Sequence, residues 1–196
     1  MNSRKLDQSL WNEIRAGSEQ AFSDLFFRYS DLLLNYGYLV AKDRELIKDC
    51  IQELFLDVWR RQEALPEAVK VRYYLLKAFR RVLLRRIQQD ARRRYDPVPD
   101  PDLFDLSRED DIAQSESAYL LRTYLAGKVN ELPPRQKEIV YLKYYEDLSY
   151  EEICEIMGIR QQAAWNLISR AVKTLRTLVA DRQMLASPLV LFLLIA

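Results

Sequence analysis

The stretch LSYEEICEIMGIRQQAAWNLISR, from Leu148 to Arg170, carries three acids in its first half and none in its second. Ser149 and Glu152 fit a capping box, so a helix is expected to start there. Ile153, Ile156 and Met157 give that helix one apolar stripe. Gly158 suits the left-handed turn that would end it. A second helix is expected from about Gln161 to Leu178. Projected at about 100° per residue, Ala164, Leu167, Ile168, Ala171, Leu175 and Leu178 share one arc. Gln161, Gln162, Trp165, Asn166, Ser169, Arg170, Lys173 and Arg176 share the facing arc. Between Arg160 and Thr177 stand four cations and no acid.

This is the pattern of a helix-turn-helix whose second helix enters a DNA major groove. Arginine pairs with guanine edges, and asparagine or glutamine with adenine. Lysine and arginine near the helix end suit phosphates. A charged outer arc alone describes any solvated helical hairpin. The cap, the glycine turn, the helix length and the one-sided charge together favour DNA. Trp165 on that arc either seeks a partner or covers the first helix.

Working outward, 196 residues suffice for one large or two small domains. Hydrophobic residues make up 49% and glycine occurs four times, which favours an all-helical chain. The net charge of +1 hides a sharp partition. Residues 80–94 hold seven arginines against one aspartate, and residues 96–116 hold eight acids against one arginine. The chain has no histidine and two cysteines, which excludes a histidine-based triad and leaves too few soft ligands for a structural zinc. Cys50 and Cys154 lie in apolar-periodic stretches and read as small core residues in a reducing compartment. The first residues lack a continuous apolar segment, so a cytoplasmic location is expected.

Residues 5–94 read as successive helices. One has Phe22, Leu25, Phe26, Tyr29, Leu32 and Leu33 at helical spacing. The next places Ile47, Ile51, Leu54, Phe55, Val58 and Trp59 on one side, with Glu45, Asp49, Gln52, Glu53 and Arg60 on the other. A connector containing Pro66 leads to a strongly basic helix. Residues 95–114, rich in proline and aspartate, read as an acidic linker. Helical periodicity returns over 115–182, where a proline opens one helix. The expected fold is therefore all-α: two small helical domains joined by an acidic linker, the second ending in the helix-turn-helix. The tail, 183–196, ends in eight consecutive apolar residues. As a helix these would span about 12 Å, short of a bilayer core of about 30 Å, so no integral membrane span is expected. Burial against protein is the favoured reading of the tail.

Two separated motifs resemble the sigma-70 type initiation factors, specifically the extracytoplasmic-function (ECF) group. LPPRQKEIVYLKYYEDLSYEEICEIMGI (132–159) followed by SRAVKTLR (169–176) resembles region 4, which reads the promoter's −35 element. DCIQELFLDVWRR (49–61) resembles the family's core-binding helix. YYLLKAFRRVLLRRI (73–87) sits where the −10 recognition and melting helix belongs. The resemblance implies core RNA polymerase, with its β′ and β subunits, as the partner, and sets Asp49, Gln52 and Glu53 against a basic helix of β′. It implies that Gln161, Gln162, Trp165, Asn166, Ser169, Arg170 and Lys173 face the −35 element. Trp59 reads as core rather than contact.

The basic helix has its own chemistry. Lys77, Arg80, Arg81, Arg85 and Arg86 form a positive face suited to phosphate, and Tyr73 and Tyr74 beside it suit stacking on unpaired bases. The resemblance makes Tyr73, Tyr74, Lys77, Arg80, Arg81 and Arg85 the −10 contacts, with a flipped base held partly by the loop Arg61–Val69. Arg81 stands where the family more usually has asparagine. Trp165 and Leu167 stand where it often has lysine or arginine, which implies a weaker or a different −35 preference. The resemblance further implies an acidic linker threaded along the RNA exit path, and admits an anti-sigma protein as a partner. It implies no cofactor.

Three functions compete. An initiation factor would act through core polymerase and promoter DNA without making bonds itself. A stand-alone helix-turn-helix regulator would bind palindromic sites without polymerase, but leaves the basic face of the first domain without a task. A catalytic helical domain would need a nucleophile–base pair, a metal cluster or a glycine-rich phosphate loop. The sequence offers none of these, so no catalytic residue or metal ligand is assigned.

Overall fold

In the computed structural model the described residues are 3–67, 69–91 and 124–180. The linker 95–114 and the apolar tail lie outside them. The chain forms two compact units, Met1–Pro101 and Asp102–Ala196. All regular structure among the described residues is helical.

The first unit holds α1 (Ser3–Arg15), α2 (Glu19–Val40), α3 (Arg44–Arg60) and α4 (Val71–Ala91). Local chemistry sets their starts. The Ser18 side chain accepts from the Ala21 amide, and the Asp43 side chain accepts from the amides of Glu45 and Leu46. The expected stripes become the core. Leu25, Tyr29 and Leu33 of α2 pack with Ile47, Ile51, Leu54, Phe55 and Val58 of α3, and with Leu75, Leu76, Phe79 and Leu83 of α4. Gly37 permits the closest approach. A Cβ there would lie 2.5 Å from Cγ2 of the fully buried Ile47, so α2 and α3 meet only because the side chain is absent. Trp59 is half-buried, its ring 5.1 Å from that of Phe22.

α1 braces the connector before α4. The fully buried Trp11 donates from Nε1 to the Pro66 carbonyl (2.9 Å), Arg15 Nε donates to the Leu65 carbonyl (3.0 Å), and Gln8 donates to the Glu67 carbonyl (2.9 Å). Three backbone acceptors of the connector are thereby satisfied by one helix. Between α1 and α2, Asp7 is buried and accepts from Arg28 Nε (2.6 Å) and the Tyr29 hydroxyl (2.8 Å). A buried carboxylate is tolerable because its charge and lone pairs find these partners.

The second unit holds a helical segment over 124–130 (α5), α6 (Pro134–Val140), α7 (Tyr150–Met157) and α8 (Gln161–Ala180). Proline opens α6, as expected. Its continuation departs from the periodic reading: Tyr141–Tyr145 widens into a π turn, closed by a bond from the Glu146 amide to the Tyr141 carbonyl (3.1 Å). Five residues of apolar spacing do not distinguish an α from a π turn. The turn stacks Tyr141 on Tyr145, with centroids 5.8 Å apart. The Leu148 amide then reaches back to the Leu142 carbonyl, which sets Ser149 at the head of α7. Val129, Leu132, Val140 and Ala171 form a core that Leu175 and Leu178 flank. Cys50 is buried, whereas Cys154 is only half-buried on α7, so the reading of both as core residues holds fully for Cys50 alone.

Candidate nucleic-acid interface

The capping box at the head of α7 is complete. The Glu152 amide donates to Ser149 Oγ (3.3 Å), and the Ser149 amide donates to Glu152 Oε2 (2.8 Å). Gly158 ends the helix at φ 63° and ψ 42°, a left-handed conformation that a side chain would strain. α7 buries Ile153, Ile156 and Met157, and α8 buries Ala164, Ile168 and Ala171. Leu167, Leu175 and Leu178 are half-buried beside them.

The consequence appears on the other side of α8. Gln161, Gln162, Trp165, Asn166, Ser169, Arg170, Lys173 and Arg176 are all exposed. Among the described residues, Arg160, Arg170, Lys173 and Arg176 have no carboxylate partner. Gln162 donates to Asn166 Oδ1 across one turn (3.3 Å), holding the two amides side by side. Trp165 touches the head of α7 without being buried by it. Half of it is exposed, and its ring lies stacked on Tyr150, with centroids 4.5 Å apart and planes 15° from parallel.

The basic helix α4 is differently placed. Arg81 and Arg85 are exposed, and Arg80 is half-buried. Arg85 and Arg86 both pair with Glu53 of α3, Arg86 Nε at 3.0 Å from Oε2. Lys77 donates to the Tyr73 hydroxyl (2.9 Å), its ammonium 5.3 Å from that ring's centroid. Tyr74 turns inward, edge-on to Trp11 at 4.9 Å, and burial pushes its phenol above the ordinary value. It is thus half wall and half surface.

Of the three residues read as a polymerase patch, Asp49 and Gln52 stand exposed on α3. Glu53 is half-buried and faces the arginines of α4. Leu56, 51% exposed one turn beyond Gln52, was not singled out by the sequence. Its signal was an apolar residue falling in the polar arc. The Asp7 network was also missed. Burial first, then the Asp7 charge, pushes the Tyr29 phenol far above its ordinary range, while Arg72 of α4 opposes the shift. Nothing near Asp7 in sequence announces Arg28 or Tyr29.

Residues 122–175 match the family model for region 4 of the sigma-70 factors. The chain is 29% identical over 171 residues to the ECF RNA polymerase sigma factor BldN of Streptomyces coelicolor, covering 85% of this chain and 63% of that protein. It is 27% identical over 175 residues to the RNA polymerase sigma factor CarQ of Myxococcus xanthus, covering 87% of this chain and 95% of that one. Among solved structures, the sigma factor RpoE in complex with the anti-sigma factor NepR from Bartonella quintana superposes with a TM-score of 0.59. It has 17% identity and covers 82% of this chain and 98% of that one. No helix among the described residues is long and apolar enough to cross a membrane.

Proposed function

We propose that the chain, whose residues 122–175 match region 4 of the sigma-70 factors and which is similar along most of its length to sigma factors such as BldN of the ECF group, is an alternative transcription initiation factor of that family. It binds core RNA polymerase and directs the enzyme to promoters. The observation that carries this reading is α8: an exposed arc of amide, hydroxyl and cationic side chains without an acid, seated on a capped helix-turn-helix. Such an arc matches the donors and acceptors of a major-groove edge and the charge of its phosphates.

Roles then follow residue by residue. Gln161, Gln162, Asn166, Ser169 and Arg170 face the bases of the −35 element, and Lys173 faces phosphate. On α4, Arg80, Arg81 and Lys77 take the −10 backbone, and Tyr73 offers a ring to an unpaired base. Asp49 and Gln52, exposed on α3, meet a basic surface of the polymerase, with Leu56 as an apolar neighbour. Glu53 acts at the seam between that patch and α4. Bond making belongs to the polymerase, and the work belongs to the cytoplasm, where polymerase and chromosome are. An anti-sigma protein is a fitting regulator, as in the RpoE complex. The stand-alone regulator loses support because both relatives are named as sigma factors.

The test mixes the purified chain with bacterial core polymerase and a promoter-enriched library, then sequences the transcripts. Discrete starts appearing only with both components support the proposal. Specific duplex binding that ignores polymerase would favour the regulator instead. In the same assay, joint replacement of Asp49 and Gln52 by alanine is expected to weaken polymerase binding about tenfold, as for a modest interface anchor, with helicity unchanged.

A further inference from the structure

Trp165 is out of character with its neighbours. It is the one large apolar side chain on an arc of amides, hydroxyls and cations, and half of it faces solvent. Its ring is also held in place. Tyr150, at the head of α7, stacks on it at 4.5 Å, and the Lys143 ammonium lies 5.0 Å from the Tyr150 centroid while donating to the Leu148 carbonyl (3.3 Å). Three elements, the π turn, α7 and α8, thus converge to fix the plane of one indole. A merely solvated tryptophan needs no such pillar, and a cover for α7 would be buried.

We propose that Trp165 is a specificity-determining residue that reads the C5-methyl group of a thymine in the −35 element; this rests on the initiation-factor reading above. The occupant follows from charge and from groove chemistry. From Arg160 to Thr177 the helix carries four cations and no acid, which favours a polyanion over a protein surface. In the major groove the thymine methyl is the one apolar feature that a base edge presents. The rigid indole edge meets that methyl without losing rotamer freedom, because Tyr150 has already fixed the ring. The bonded pair Gln162 and Asn166 flanks Trp165, three residues before it and one after, with the amide chemistry that suits the adenine of an A·T pair.

The test uses the full chain with core polymerase on a promoter duplex recovered from the transcript sequencing. Each thymine of the −35 element, on either strand, is replaced in turn by deoxyuridine, which removes only the methyl group. One or two positions should lower holoenzyme binding about fourfold with the native chain, the effect of one methyl leaving an apolar contact. With Trp165→Ala the same replacements should change binding less than twofold. Trp165→Arg serves as a second variant, since its guanidinium lies flat on Tyr150 and supports α8 while removing the apolar edge. Tyr150→Ala, a change of positioning, should blunt the methyl effect and leave the salt dependence of binding unaltered. Sensitivity at no thymine, while binding still depends on the −35 element, overturns the proposal. So does sensitivity that persists in both Trp165 variants. Loss of binding to a protein partner with DNA discrimination intact overturns it too, and makes Trp165 a protein contact. If the native chain shows no −35 dependence at all, the initiation-factor reading fails first and takes the proposal with it.

Discussion

Two basic helices, α4 and α8, meet their surroundings in opposite ways. α4 carries six cations and one acid; α8 carries three cations and no acid. By count, α4 is the stronger polyanion binder. Four of its six cations are nevertheless engaged within its own unit: Arg85 and Arg86 on Glu53, Lys77 on Tyr73, Arg72 beside Tyr29. The cations of α8 have no carboxylate partner among the described residues. The number of cations on a helix therefore says little about how much charge it offers a ligand. What decides is whether the fold supplies the counter-charge first.

The largest expected effect probes how far the first unit depends on this inward bonding. Trp11 is fully buried, donates to the Pro66 carbonyl, and meets the Tyr74 ring edge-on. Trp11→Ala should cost about 3–5 kcal/mol, the range for a large aromatic removed from a core, all of it in the first unit. Differential scanning calorimetry should show one transition moving sharply down and the other, from the α6–α8 unit, holding within a degree or two. Equal movement of both would mean that the two units do not melt separately.

A smaller effect should appear with pH, and its sign can be worked out. Burial pushes the Cys50 thiol up to about 11, and the phenols of Tyr29 and Tyr74 are also raised, in each case first by burial. Each raised pKa means that the folded state holds a proton which the unfolded chain has already released. The stability held in the neutral Cys50 thiol is present below about pH 9 and is lost as pH rises through about 11, while that of the two phenols begins to be lost only above about pH 10. Cys50 alone accounts for about 3 kcal/mol at most, since its thiol is raised from 9 to about 11 and each pH unit is worth about 1.4 kcal/mol. The second unit has the raised but partly exposed Tyr144 and Cys154, so it should lose less. Denaturant midpoints at pH 8, 9.5 and 10.5 measure this, and Cys50→Ala should flatten the dependence of the first unit. A second unit that weakens as steeply would contradict the assignment.

The two regions also differed in how much of them was legible beforehand. The helix-turn-helix could be read almost whole, because its cap, its glycine and both arcs lie within about thirty consecutive residues. There, periodicity and cap chemistry are enough. Along α3 the same reasoning found the buried stripe. It stopped at the polar arc, where Glu53 finds Arg85 and Arg86 more than thirty residues away. Periodicity tells which face a residue occupies and not which charge lies opposite. The brace from Trp11 to Pro66 spans 55 residues, and the buried Asp7 has its partners 21 and 22 residues on. The π turn at Tyr141–Tyr145 was hidden for another reason, since it changes the backbone and leaves the apolar spacing nearly unaltered.

The smallest expected change in stability carries the most information about α4. Glu53, Arg85 and Arg86 have side chains 34%, 54% and 41% exposed, so their ion pairs are screened and Glu53→Gln should change stability by less than about 1 kcal/mol. The same substitution releases two guanidiniums toward any passing phosphate. Binding of a labelled single-stranded oligonucleotide should then fall more steeply with salt, by up to about 1.4 in logarithmic slope, at about 0.7 for each phosphate newly neutralised. α8 has no acid to remove and serves as its own control. An unaltered slope would show that Arg85 and Arg86 stay fixed against the domain whether or not Glu53 is charged. A steeper one makes the charge of α4 conditional: a cationic surface that engages Glu53 from the side of Asp49 and Gln52 would turn those arginines toward DNA.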